Sequence, residues 1–170
     1  MVNIGLARGT VKLAAYDALW PQQYNTEAML IQEITGTPPD SIEHVGSTSI
    51  PGMVAKPIID IAVLVDSLDR AEAWQSKLAS IGYWYKGAQP DMPDRRFFAK
   101  GPETMRTVYL HLANKDEFER LVRFRDYLIS NKSVAAEYAK LKQELAASNA
   151  DNRASYSKLK NDFIQTVLKN

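Results

Sequence analysis

The stretch HVGSTSIPGMVAKPIIDIAVLV, residues 44–65, decides the fold. Its first half is small and polar and bends around Gly46, Pro51 and Gly52; its second half is β-branched and nearly uncharged. Nine residues rich in Ile and Val, 57–65, predict a strand buried on both faces. One carboxylate, Asp60, interrupts that run between Ile59 and Ile61. A desolvated carboxylate costs several kcal/mol unless it is paired or holds a cation. An acid there, just after a Gly-Ser loop, is therefore expected to face a ligand.

Outward from this stretch, hydrophobic periodicity and turn residues set the remaining elements. Residues 10–17 alternate weakly and read as a short edge strand. Residues 20–36 read as a helix, with Pro21 in its first turn, Tyr24, Ala28, Ile31 and Ile34 on one stripe, and Gly36 ending it. A strand over 41–46 enters the loop. Ser67 is placed to cap a helix over 68–82, whose stripe is Leu68, Ala71, Trp74, Leu78 and Ile81. Three strands follow at 83–88, 95–100 and 105–112, joined by a Pro-containing loop at 90–94 and a Gly101-Pro102 turn. Helices are expected near 116–130, 133–148 and 153–169. No repeat or low-complexity tract divides the chain, which reads as one α+β domain over 1–170, with an α/β core at about 10–113 and a helical tail at about 114–170.

Composition narrows the function. The 170 residues carry 21 basic and 20 acidic side chains, a net charge of +1 that offers no global field for nucleic acid or an anionic membrane. There is no cysteine, which excludes a disulfide scaffold and thiolate-bound zinc. No run approaches the ~20 apolar residues of a membrane helix. The first residues, MVNIGLARGTVKLAAYD, lack the apolar core of a signal peptide, so a cytoplasmic location is expected.

Spacing removes several chemistries. Five residues separate Gly46 from Gly52 and Met53 follows, which breaks the Walker A pattern. GSTSIPG is not a nucleophile elbow. Two histidines, His44 and His111, are too few for the usual zinc hydrolase site, and no second acid pairs with Asp60 as a glycosidase requires. What fits is the outline of the nucleotidyltransferases related to DNA polymerase β: Val45-Gly46-Ser47, the twelve residues 48–59, then Asp60 on a strand. A Gly-Ser turn lets backbone N–H groups and a hydroxyl approach phosphates, and a strand carboxylate holds Mg²⁺.

The chain resembles the GrpB family more closely still, through YDALWPQQYNTE, IEHVGSTSIPGMVAKPIIDI, RRFFAK, YLHL, FRDYLISN and the tail strings EYAKLKQELA and YSKLKNDFI. Members of that family are also fused to some dephospho-CoA kinases. The resemblance implies a nucleotidyltransferase-like mixed β-sheet flanked by helices, with a C-terminal helical segment. It also implies a candidate site. Gly46, Ser47 and Thr48 would meet phosphate, with Lys56 and, from the hairpin strand, Arg95, Arg96 or Lys100 neutralising charge. Asp60 would hold Mg²⁺ or Mn²⁺. His111, two residues beyond Tyr109 on one strand face, would replace as ligand or base the second acid that working polymerase-like enzymes carry where Ala62 stands, and His44 is a further candidate base. Tyr109 stands where many relatives have a first histidine. Trp74 reads as core, and Arg125 as reaching either the cleft or Asp126. Two readings follow: transfer of a nucleotidyl group from an NTP to a small acceptor, or a module that holds a nucleotide or CoA-type phosphate without turnover.

Overall fold

The computed structural model describes residues 4–90, 92–148 and 153–169. Its strands are β1 (Leu6–Ala7), β2 (Ile42–Val45), β3 (Ile59–Leu64), β4 (Tyr83–Gln89), β5 (Met92–Lys100), β6 (Met105–Arg106) and β7 (Val108–Ala113). Its helices are α1 (Trp20–Thr35), α2 (Arg70–Ser80), α3 (Lys115–Ser130), α4 (Lys132–Ser148) and α5 (Arg153–Lys169). Five strands form a mixed sheet in the order β2-β3-β7-β5-β4, in which only β3 and β7 run parallel. The expected α+β architecture, with its helical C-terminal part, is therefore present. Among the described residues no helix is long and apolar enough to cross a membrane.

Period-two alternation divides the central strands between two layers. Ile59, Ile61 and Val63 of β3, Leu110 and Leu112 of β7 and Phe98 of β5 are all fully buried on one face, against Trp20, Ala28 and Ile31 of α1 and Ala71 and Leu78 of α2. Trp74 packs at the edge of this core, as its place in the helical stripe predicted. On the opposite face α3 lies over part of the sheet, its Phe118, Leu121 and Val122 packing on Val45, Ala62 and Ala113. Asn114 starts α3 by accepting the Glu117 N–H at 3.0 Å, an N-cap the sequence reading passed over.

Two local readings are corrected. Residues 10–17 form no strand: Ala14 makes a single bridge to Ala55, and the two-residue strand β1 lies earlier and pairs with β6. Elements this short carry no periodicity for a sequence to display. Residues 105–112 are not continuous either. At Thr107 the N–H turns back to the Lys100 carbonyl at 2.9 Å, which separates β6 from β7.

The helical tail does more than cover the sheet. Phe124, Leu128, Tyr138 and Val167 enclose Ile50 and Met53 of the loop that follows Gly46. Lys142 of α4 is buried, donates from Nζ to the Val54 carbonyl and lies 4.7 Å from the Tyr138 ring centre. Burial and the nearby Lys160 charge bring its pKa from 10.5 down to about 7. Because the folded value lies below the unfolded one, the cost of the buried ammonium is fully present below about pH 7 and fades as pH rises toward 10.5. Replacing Lys142 by Met should thus raise stability, relative to the parent, by about 2 kcal/mol more at pH 6 than at pH 9. Urea unfolding at the two pH values measures this, and an equal offset at both would show that the amine does not titrate.

Candidate functional site

The site is built where β2 hands the chain to β3. Val45 of β2 pairs with Asp60 of β3, and Gly46 turns sharply between them with φ +71°. Ser47–Ser49 then make one 3-10 turn, closed by the Ser49 hydroxyl donating to the Gly46 carbonyl at 2.6 Å. Only glycine fits at position 46. A Cβ there would stand 2.5 Å from Asp60 Oδ2, so the loop backbone lies directly against the carboxylate.

Asp60 answers the question its sequence context raises. It is on the α3 face of β3, but α3 covers Ala62 and Leu64 and leaves the first position of that face open. Its side chain retains 29% of its exposure, and the strand expected to be buried on both faces is fully so at Ile59, Ile61, Ala62 and Val63 but only partly at Asp60 and Leu64.

His111 lies in register with Ala62, and Asp60 with Tyr109. His111 Nε2 is 3.2 Å from Asp60 Oδ1, so the expected juxtaposition is present. Burial, with the Arg95 charge adding to it, lowers the imidazole pKa against the opposing pull of Asp60. A neutral imidazole beside a carboxylate donates from Nε2, which leaves Nδ1 as a lone pair. That Nδ1 is buried and has no hydrogen-bond partner among the described residues. In this arrangement His111 orients Asp60 and presents neither nitrogen as a base to an incoming group, which corrects the general-base reading.

His44 and Thr48 are corrected too. Glu43 and Val45 share the Asp60 face, so His44 points to the other, where its ring stacks on Tyr24 of α1 with centroids 4.9 Å apart. Its Nε2 meets Thr48 Oγ1 at 3.0 Å, and that hydroxyl donates onward to the Ile58 carbonyl at 3.3 Å. Both residues are buried and brace the turn from behind rather than contact a ligand. Tyr24, whose hydroxyl donates to the Ile42 carbonyl, is a supporting residue the sequence signalled only as a helical stripe position.

The basic candidates separate by face. Arg96 and Lys100 share the α1/α2 side with Phe98, away from Asp60. Lys100 Nζ binds both carboxylate oxygens of Glu27, at 2.9 and 3.0 Å, and Arg96 donates to the Pro93 and Arg95 carbonyls. Their proposed phosphate role is corrected. Arg95 is on the Asp60 face, in a 3.2 Å ion pair with Glu117 of α3. Lys56 lines a small cavity with Arg8, Arg106 and Tyr109 at the end of the sheet nearest Asp60. Arg125 spans from α3 to β2, binding Glu43 at 2.6 Å and the His44 carbonyl at 2.8 Å as well as Asp126.

Among the described residues no three His, Cys, Asp or Glu side chains gather as a metal-binding group. Asp60 is nonetheless suited to a cation completed by a ligand. Mg²⁺ takes one or two carboxylates and fills its shell with water and substrate phosphates. Asp60 Oδ2, turned to the Gly46 loop where phosphate would arrive, fits that demand, whereas the imidazole of His111 is the softer donor.

The GrpB protein family model matches residues 10–170. The chain belongs to the GrpB family. A UPF0157 protein of Halalkalibacterium halodurans is 36% identical over 161 residues, covering 94% of this chain and 82% of that one. The crystal structure of the conserved protein GrpB from Enterococcus faecalis superposes with a TM-score of 0.79 and 31% identity, covering 93% of this chain and 98% of that one. The Cid1 poly(U) polymerase, in its MgATP-bound H336N form, is a remote likeness: TM-score 0.46, 13% identity, 77% of this chain and 45% of that one.

Two measurements probe the GrpB site as built. Gly46→Ala should cost about 1–3 kcal/mol through its strained φ and its clash with Asp60. Asp60→Ala should recover at least ~0.5 kcal/mol of that loss in the double variant, because the oxygen in the way has gone; strict additivity in denaturant unfolding would refute the close approach. Separately, burial holds the His44 pKa at about 4, below its ordinary 6.5. The unfolded chain therefore takes up the proton first, and the stability present above pH 6.5 is lost as pH falls toward 4. Between pH 7 and 4 the parent should lose about 2–3 kcal/mol more than His44→Gln.

Proposed function

We propose that this GrpB protein binds the polyphosphate of a nucleoside triphosphate over the Gly46 turn and the adjoining Asp60, and transfers its nucleotidyl group to a small acceptor. The observation that carries the reading is the approach of the Gly46 backbone to within a missing Cβ of the Asp60 carboxylate. A turn of small residues and a carboxylate held this close would present a backbone and a charged oxygen side by side to one ligand.

Gly46 and Ser47 would supply backbone N–H groups and a hydroxyl to the phosphates. Asp60 would hold Mg²⁺ or Mn²⁺ through Oδ2 while His111 fixes Oδ1. When bound there, the cation would neutralise charge on the phosphates. The acceptor oxygen would bond to the α-phosphorus, the bond from that phosphorus to the β-phosphate oxygen would break, and pyrophosphate would leave. The acceptor's proton would pass to solvent, since neither nitrogen of His111 is offered to it. Lys56, at the same end of the sheet, is the basic candidate for charge developing on the leaving group.

A second reading is a binding module without turnover for a nucleotide or CoA-type phosphate. Ala62, where a second acid would stand, is buried beneath α3, and this favours it. Incubation with Mg²⁺ or Mn²⁺, NTPs labelled at the α or γ phosphate, and a metabolite extract as acceptor separates the two. Transfer of α label supports nucleotidyl transfer. Transfer of γ label means a kinase-like reaction, and saturable binding alone means the module.

Asp60→Asn keeps an oxygen for His111 and should change metal-free stability by no more than about 1 kcal/mol. The same variant should lose the rise in melting temperature that Mg²⁺ with ATP gives the parent. An undiminished rise would place the ligand elsewhere.

A further inference from the structure

The Asp60 face of the sheet carries a second feature that the phosphate reading leaves unused. Register places Tyr109 beside Asp60 and Phe97 beside His111, all on one face. Phe97 touches both neighbouring rings, with centroids 4.9 Å from Tyr109 and 5.0 Å from His111. Both Phe97 and Tyr109 are only half-buried. Helix α3 reaches these strands at their far ends, through Glu117 to Arg95 and through Phe118 to Ala113, and does not pack on this pair in either apolar cluster it joins. On the β4 side the platform ends at Arg106, whose guanidinium stacks 4.4 Å over Trp84. Trp84 faces Ala99, which faces Tyr109, so one row across the sheet runs Trp84, Ala99, Tyr109, Asp60, Val45.

The order of that row assigns sides. Gly46 and its turn meet Asp60 from the β2 side; the rings of Tyr109 and Phe97 lie on the β7 and β5 side. Neighbouring strands are about 4.8 Å apart, so the ring of Tyr109 begins one strand from the carboxylate. A phosphate ligand held at the turn and a second molecule on the rings would thus meet over Asp60 from opposite directions. Aromatic faces favour planar rings, which stack on them with an attraction beyond that of buried area alone.

We propose, resting on the phosphate reading above, that Tyr109 and Phe97 form the acceptor subsite, and that the acceptor carries a planar aromatic or heteroaromatic ring. The two side chains select the second substrate and take no part in holding the phosphates.

The test uses the full chain with Mg²⁺ and inorganic tripolyphosphate as the phosphate probe. Adenosine, indole and catechol serve as ring probes, with cyclohexane-1,2-diol as the saturated control, and binding is followed by NMR titration. At least one ring compound should bind in the presence of saturating tripolyphosphate, and the saturated diol should not. Tyr109→Leu and Phe97→Leu should each weaken that ring compound at least tenfold, about 1.4 kcal/mol. Tyr109→Phe should keep it within threefold, and tripolyphosphate affinity should be the same in every variant. If the leucine variants do not fold, contacts between probe protons and the Tyr109 ring, assigned by their loss in Tyr109→Phe, decide the matter in the parent. Ring binding that tripolyphosphate displaces, that ignores both substitutions, or that is absent for all three compounds overturns the proposal. Failure of tripolyphosphate itself to bind overturns the phosphate reading instead, and the ring titration still reports on Tyr109 and Phe97.

Discussion

The rest of the site depends on the contact between a backbone and a carboxylate. Gly46 carries no side chain, sits at φ +71° and lets the turn lean on Asp60. Neither partner can move far alone. Asp60 is pinned from the sheet by pairing with Val45 and Tyr109, and from the side by His111. The turn is pinned from behind by the His44–Thr48–Ile58 relay and from beyond by the burial of Ile50 and Met53. A charge-bearing oxygen and the backbone of the turn are thereby held fixed at one spot.

The charges on the surrounding elements are held in ion pairs. Glu27 takes Lys100, Glu117 takes Arg95 and Arg120, and Glu43 takes Arg125. Both histidines are neutral near pH 7, each because burial lowers its pKa. Partly buried pairs such as Arg95–Glu117 give modest stability and chiefly fix geometry. Here they fix α3 to β5 and β2 and leave the Asp60 end of the sheet free of α3.

Much of this was legible in the sequence, and the parts that were not share a cause. The helix stripes, the Ile-Val strand, the Gly-Ser turn and the prominence of Asp60 all follow from local pattern. The pairing of Asp60 with His111 could be expected once their strands were neighbours. Which face a residue takes is a different matter. Parity along a single strand shows that Arg96 and Lys100 share a side, but only register with β7 shows that the side is the wrong one. His44 was misread for the same reason: its parity excludes it from the Asp60 face once Val45 is known to pair with Asp60. Phe97 lacked any signal, because a phenylalanine in a strand usually reads as core. Its neighbour Phe98 is the one that is core.

The embrace of the loop by the tail sets the order in which the molecule matures. Ile50 and Met53 are enclosed by side chains as distant along the chain as Tyr138 and Val167, and Val54 is held by Lys142. On the ribosome, where the chain emerges from its N-terminus at about 5–20 residues per second, the Gly46 turn and the strand bearing Asp60 are exposed well before those helices exist. The sheet and its first two helices have their own core and can collapse early, but the turn cannot acquire its final support until the last helix has been made. Completion of the Gly46 turn is therefore a late event of synthesis, coupled to the arrival of residues far along the chain.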